Sequence, residues 1–147
     1  MKISTRGRYA LRTMIDIAVN SGADRNITIK EISKRQDISV KYLEQIVNVL
    51  SKARLLRSVR GAQGGYRLSR RPEEYTAGEI LRLAEGGLAP VECLEGDENI
   101  CPRRAACPTL SFWEGLDKVV RDYVDSVTLA DLAQQEKELN AGGEYYI

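Results

Sequence analysis

Three cysteines are the residues best suited to chemistry in this chain: Cys93, Cys101 and Cys107, spaced C-x7-C-x5-C in one short acidic loop. No other cysteine occurs. Thiolates bind soft ions, so an iron–sulfur cluster and zinc both suit the grouping. Thiol oxidation is a third use. Three is an odd number for internal pairing. The segment that opens the chain reads as an amphipathic helix and not as a signal peptide. A reducing cytoplasm, where stable disulfides are rare, is the expected setting. The 147 residues include no histidine. A closed zinc site of the common kinds is therefore short of a ligand, and general acid–base catalysis lacks its most frequent group. No P-loop or dinucleotide fingerprint is present, so the chain is not expected to be an enzyme.

Charge supplies the second kind of chemistry. The net charge of +1 hides two opposite halves. Residues 1–71 carry 16 Lys and Arg against 5 Asp and Glu, whereas residues 72–147 carry 6 against 16. A basic half of this strength suits a polyanion. It ends in the glycine-rich turn Arg60-Gly61-Ala62-Gln63-Gly64-Gly65-Tyr66.

Local signals predict the elements that place these groups. Apolar positions from Tyr9 to Ala18 recur at helical spacing over 8–20. Thr28-Ile29-Lys30-Glu31 is a capping box that opens a short helix to about residue 35. After a tight turn, Ser39 is a good N-cap for a helix over 40–53. Its buried stripe is Leu43, Ile46, Val47 and Leu50. Two helices across a short turn read as helix-turn-helix. Strands at 55–60 and 66–69, joined by the glycine-rich turn, add a wing. Thr76 to Glu79 forms a second capping box, and its helix stops at Gly86-Gly87. Prolines keep 88–108 as loop, and Pro108 is well placed to start the next helix.

That helix, 109–126, carries a stripe of Leu110, Trp113, Leu116, Val120, Tyr123 and, just past it, Val127, widened by Val119 and Val124. Such a face needs a partner, and pairing with its copy is the expected use. A short helix capped by Thr128 follows, then Gly142-Gly143 and a tail, Glu144-Tyr145-Tyr146-Ile147. The expected fold is mainly α with a small β-hairpin wing: a winged helix-turn-helix plus a long dimerisation helix. The expected division is 1–71 as DNA-binding region, 72–108 as connecting helix and cysteine loop, 109–127 as dimerisation helix and 128–147 as short helix and tail. No apolar run is long enough to span a membrane.

The opening Met1-Lys2-Ile3-Ser4-Thr5-Arg6-Gly7-Arg8-Tyr9-Ala10, the stretch from Ser39 to Gln45, and the wing from Val59 to Tyr66 together resemble a family of bacterial winged-helix regulators. That family includes the iron–sulfur cluster regulator (IscR-type), a nitric-oxide-sensing repressor and the cysteine-metabolism repressor (CymR-type). The resemblance covers the chain to about Leu132. It implies a homodimer on double-stranded DNA, with the helix after Ser39 in the major groove and the wing at the minor groove. It also implies, for some members, a [2Fe–2S] cluster on three cysteines before the dimerisation helix, at positions matched by Cys93, Cys101 and Cys107. The first spacing here exceeds the usual x5. The IscR-type histidine ligand is replaced by Leu110, which leaves Glu92, Glu95, Asp97, Glu98, the other subunit or an exogenous ligand to complete the set.

The DNA-binding residues expected are Arg6, Arg8, Thr28, Ser39, Lys41, Tyr42, Glu44, Gln45, Arg60, Gly61, Gly64, Gly65 and Tyr66. Lys52, Arg57 and Arg67 are further phosphate candidates. Arg and Lys neutralise phosphates. Gln can bond adenine in a bidentate manner, and Glu can accept from cytosine. Arg60 suits a narrow minor groove. The favoured function is a homodimeric DNA-binding regulator that senses iron–sulfur or redox status. The alternative is a CymR-like repressor of cysteine metabolism whose tail docks into a partner enzyme such as cysteine synthase.

Overall fold

The computed structural model describes residues 1–144. Its helices are α1 (Thr5–Asn20), α2 (Ile29–Gln36), α3 (Val40–Lys52), α4 (Ala77–Glu85), α5 (Leu110–Ser126) and α6 (Leu129–Glu144). The strands β1 (Leu56–Val59) and β2 (Gly65–Leu68) pair antiparallel, with Leu56 opposite Leu68 and Val59 opposite Gly65. Among the described residues no helix is long and apolar enough to cross a membrane.

The helix starts follow their capping chemistry. Thr28 Oγ1 accepts from the Glu31 amide at 3.2 Å, while the Glu31 carboxylate accepts from the Thr28 amide at 2.8 Å. That backbone bond is the main reason the Glu31 carboxyl sits below its ordinary pKa. Ser39 caps α3 by accepting from the Tyr42 amide at 3.1 Å. Thr76 accepts from the Glu79 amide at 3.0 Å. The second half of that expected box is diverted, because Glu79 binds Arg70 at 2.5 Å.

The core is where α1, α2 and α3 meet, with α4 and the start of α6 closing it. Met14, Ile17, Ile32, Leu43, Leu50, Ile80 and Leu129 are essentially fully buried. Each such burial is worth about 1.5–3 kcal/mol. The α3 stripe of Leu43, Ile46, Val47 and Leu50 is inside, so its opposite face is left for other contacts.

Two features depart from the sequence expectation. Asp16, a charged residue among the apolar positions of α1, is buried with them and 2% exposed. The last helix is not short: α6 runs on to Glu144, through Gly142 and Gly143. The local helix penalty of about 1 kcal/mol per glycine does not stop it there.

Tyr75 links distant parts of the fold. Its hydroxyl, fully buried, donates to the Leu55 carbonyl at 2.7 Å and accepts from the Ser69 and Arg70 amides at 2.9 and 3.0 Å. The Arg70 guanidinium covers its ring at 4.3 Å. This fixes the base of the hairpin to the segment leading into α4. Tyr75→Phe removes one donor and one acceptor, strands the Arg70 amide and leaves the Ser69 amide and Leu55 carbonyl only their long mutual bond of 3.4 Å. It is expected to lower stability by about 1–3 kcal/mol in urea unfolding; a loss under about 0.5 kcal/mol would mean that water replaces the hydroxyl.

Candidate nucleic-acid interface and cysteine loop

The interface is built on α3. Two non-glycine residues with left-handed backbone bracket it: Asp37 (φ 53) in the turn from α2, and Arg54 (φ 63) just past its end. A short polar side chain such as Asp tolerates this conformation best. Lys41, Glu44, Gln45, Asn48 and Lys52 line the exposed side of α3. Tyr42 is half-buried, its ring set edge-on against Tyr9 of α1 with centroids 5.7 Å apart. The first turns of α1 and α3 are therefore neighbours. Thr5, Arg6 and Arg8 of α1 are exposed.

Backbone pairing fastens the wing. The Ile27 amide donates to the Tyr66 carbonyl at 2.9 Å, and the Tyr66 amide to the Ile27 carbonyl at 2.7 Å. Asn26 Nδ2 donates to the Gln63 carbonyl at 3.0 Å. A Cβ on Gly65 would lie 2.6 Å from the Ile27 carbonyl oxygen, and its φ is +144. Only glycine fits at that crossing. Gly61 and Gly64 complete the turn. Tyr66 and Thr28 thus have structural work in the pairing and the cap.

Ion pairing sorts the basic residues. Arg35 is bound to Asp16, Arg25 to Glu31 and Arg67 to Asp24. Arg67 is thus partly neutralised, unlike the other phosphate candidates. Arg6, Arg8, Lys41, Lys52, Arg57 and Arg60 are exposed and form no ion pair among the described residues. An unpaired cation on one face keeps its charge for a polyanion.

The cysteine loop hangs between α4 and α5. Cys93 lies in a 3-10 turn, Glu92–Leu94, and borders an open groove shared with Arg82, Asn99, Asp117 and Arg121. Cys101 precedes a second such turn, Arg104–Ala106. Cys107 sits beside the start of α5, with its Sγ 3.5 Å from Thr109 Oγ1. That hydrogen bond, then the Thr109 and Leu110 backbone amides, hold the Cys107 thiol below its usual pKa. All three are free and half-buried. No three of the Cys, Asp and Glu side chains stand close enough to hold a metal ion among the described residues. The donor set suits an iron–sulfur cluster in kind, as three soft sulfur ligands. In this conformation the thiols are not gathered.

At its far end, α5 is pinned to α4. Arg82 binds both Asp125 oxygens at 2.7 and 2.9 Å, which holds the Asp125 carboxyl below its ordinary pKa. Gly78 makes this approach possible, since a Cβ there would collide with Asp125. The apolar side of α5 is only partly covered: Leu110, Trp113, Leu116 and Val120 are half-buried, whereas Val119, Tyr123 and, beside the stripe, Phe112 are 67%, 69% and 64% exposed. The one buried residue on α5 is Asp117, which pairs with Arg121 one turn on.

A helix-turn-helix with a hairpin wing and a basic α3 face define a winged-helix transcriptional regulator. Residues 3–135 match the family model described as "Rrf2: Iron-dependent Transcriptional regulator", and the chain belongs to the Rrf2 family. The protein rrf2 of Nitratidesulfovibrio vulgaris is 42% identical over 132 residues, 90% of this chain and 87% of that protein. The solved structure of CymR, the global cysteine regulator of B. subtilis, is 41% identical with a TM-score of 0.74, covering 92% of this chain and 98% of that one. The T. potens IscR structure is 37% identical with a TM-score of 0.74, covering 95% and 90%.

Arg60→Ala is expected to weaken specific operator binding by about 1–3 kcal/mol while leaving the thermal midpoint unchanged. Fluorescence anisotropy with the native operator measures this; equal affinity would remove the wing from readout.

Proposed function

We propose that the chain is a homodimeric DNA-binding regulator whose cysteine loop sets operator affinity, with Cys93, Cys101 and Cys107 as ligands of a [2Fe–2S] cluster. The observation that carries the reading is the position of the loop. It is tethered at one end to α4 and at the other to α5, and α4 packs directly on α1 of the reading face. The exposed Phe112, Val119 and Tyr123 of α5 support pairing with a second copy, which would cover them. On DNA, Tyr42, Glu44 and Gln45 would meet base edges from the start of α3. Arg6, Arg8 and Lys41 would grip phosphates beside them, with Ser39 capping the helix and within reach of the same backbone.

A bound cluster would supply a one-electron, oxygen-sensitive centre in the loop. The chain's own part is to order the loop and thereby bias the placement of α5 relative to α4. A ligand shifts such an equilibrium only by its differential affinity for the two arrangements. Protein purified without oxygen is expected to show a visible chromophore with matching iron and sulfide. Serine at 93, 101 and 107 should abolish it and leave a folded dimer. A DNA response to iron or oxygen that survives the triple replacement would sink the model, as would colourless, iron-free protein after attempted reconstitution.

A second reading is favoured by the ungathered thiols and by Leu110 at the IscR-type histidine position. Here the chain acts as a CymR-like repressor of cysteine metabolism, controlled by a partner enzyme. The docking segment would be the tail; its residues 145–147 lie outside the described residues. Retention on immobilised cysteine synthase, lost on deletion of 144–147, is the result expected of this reading. Retention unaffected by the deletion would exclude the tail as the docking segment.

A further inference from the structure

We infer that Glu85, the last residue of α4, is a positioning residue for DNA binding: it holds the first turn of α1 so that Arg6 and Arg8 stand beside the recognition helix. One carboxylate oxygen, Oε1, accepts from the Ser4 amide at 3.1 Å and from the Ser4 hydroxyl at 2.5 Å. Ser4 is the N-cap of α1, and its oxygen also accepts from the Gly7 amide at 3.3 Å. Glycine at position 7 leaves room for this contact, since a Cβ there would overlap Oε1 and push the carboxylate aside. The carboxylate also lies at the positive end of the α1 dipole, where negative charge is favoured.

The contact matters for DNA because of what α1 carries next. Arg6 and Arg8 flank Gly7 and have no acidic partner among the described residues. One residue further, Tyr9 meets Tyr42 of α3. A frayed first turn would leave both arginines attached but unplaced, and ordering them on binding would then cost entropy. Glu85 is also the last residue before Gly86, whose left-handed backbone (φ 80) ends α4 and begins the cysteine loop. The same residue therefore joins the loop's root to the DNA face.

This inference rests on the reading of the chain as a DNA binder, and the experiment separates the two. The probe is a labelled duplex of arbitrary sequence at low salt, read by anisotropy across a salt series, with Glu85→Gln and Glu85→Ala compared. Both substitutions remove one negative charge, so long-range electrostatics alone would tighten binding equally in both. Gln keeps an acceptor oxygen for Ser4; Ala does not. Positioning predicts that Glu85→Gln binds at least as tightly as the unaltered protein. Glu85→Ala should bind about three- to tenfold more weakly, with a salt slope smaller by about one. Thermal melts define a temperature at which every variant is folded; a purely structural role would move the melts but not the slope. Should Glu85→Ala fail to fold, Ser4→Ala, at an exposed position, takes its place with the same expected direction. Equal affinities for the Gln and Ala variants, or an unchanged slope in the weaker one, would overturn the inference and leave DNA binding standing. Failure of the unaltered protein to bind duplex DNA would overturn both.

Discussion

A buried carboxylate sets the geometry on which the DNA face depends. Asp16 lies inside the three-helix core and accepts from Arg35 Nε and Nη2 at 2.9 and 2.8 Å and from Gln36 Nε2 at 3.0 Å. Arg12 in turn binds Gln36 through both its side-chain and backbone oxygens. The arrangement ties α1 to the end of α2, one residue before the left-handed Asp37 turns the chain into α3. Removing Arg35 would leave the Asp16 charge buried, a cost of up to about 3–5 kcal/mol, whereas Arg35 itself is a third exposed and loses less without Asp16. The pair thus fixes where the turn begins, and the turn fixes how α3 is presented.

From that anchor the same logic extends outward through α4. On one side Glu85 meets the start of α1; on the other Arg82 and Gly78 receive the end of α5. Acidic groups are thereby spent in specific places. Those inside the basic half neutralise Arg25, Arg35 and Arg67, and the phosphate candidates Arg6, Arg8, Lys41, Lys52, Arg57 and Arg60 are among the cations left over. The uneven charge of the two halves is thus a sorting of partners as well as a total.

Much of this was legible locally. The periodicity of α3, its Ser39 cap and the Thr28 capping box depend on residues within one or two turns, and the structure follows them closely. The first strand is shorter than the sequence suggested, Leu56–Val59 within 55–60, and the second, Gly65–Leu68, is shifted one residue earlier than 66–69, because Val59 pairs with Gly65. What escaped the sequence are contacts between distant residues. The Tyr75 hydroxyl, the Ile27–Tyr66 bridge and the Ser4–Glu85 contact join residues 20, 39 and 81 apart, and no local pattern marks them. Asp16 was opaque for the same reason: its partner is 19 residues away, and only the folded chain shows the charge compensated. The cysteines show the opposite limit. Their spacing places them in one loop, but a loop without regular structure does not bring thiols to a common point by spacing alone.

The bridge between Ile27 and Tyr66 has a consequence for the kind of DNA site that can be read. The wing is stitched to the segment just ahead of α2, and Gly65 leaves no slack at the crossing. Wing and α3 therefore move as one piece, and on the docking proposed above the distance between a contact made by α3 and one made by the wing would be fixed within each chain. Sequence variants that change the DNA path between those two contacts will be penalised even where no base is touched. In the proposed dimer, tolerance for insertions or altered curvature would fall to the stretch that separates one such head from the next.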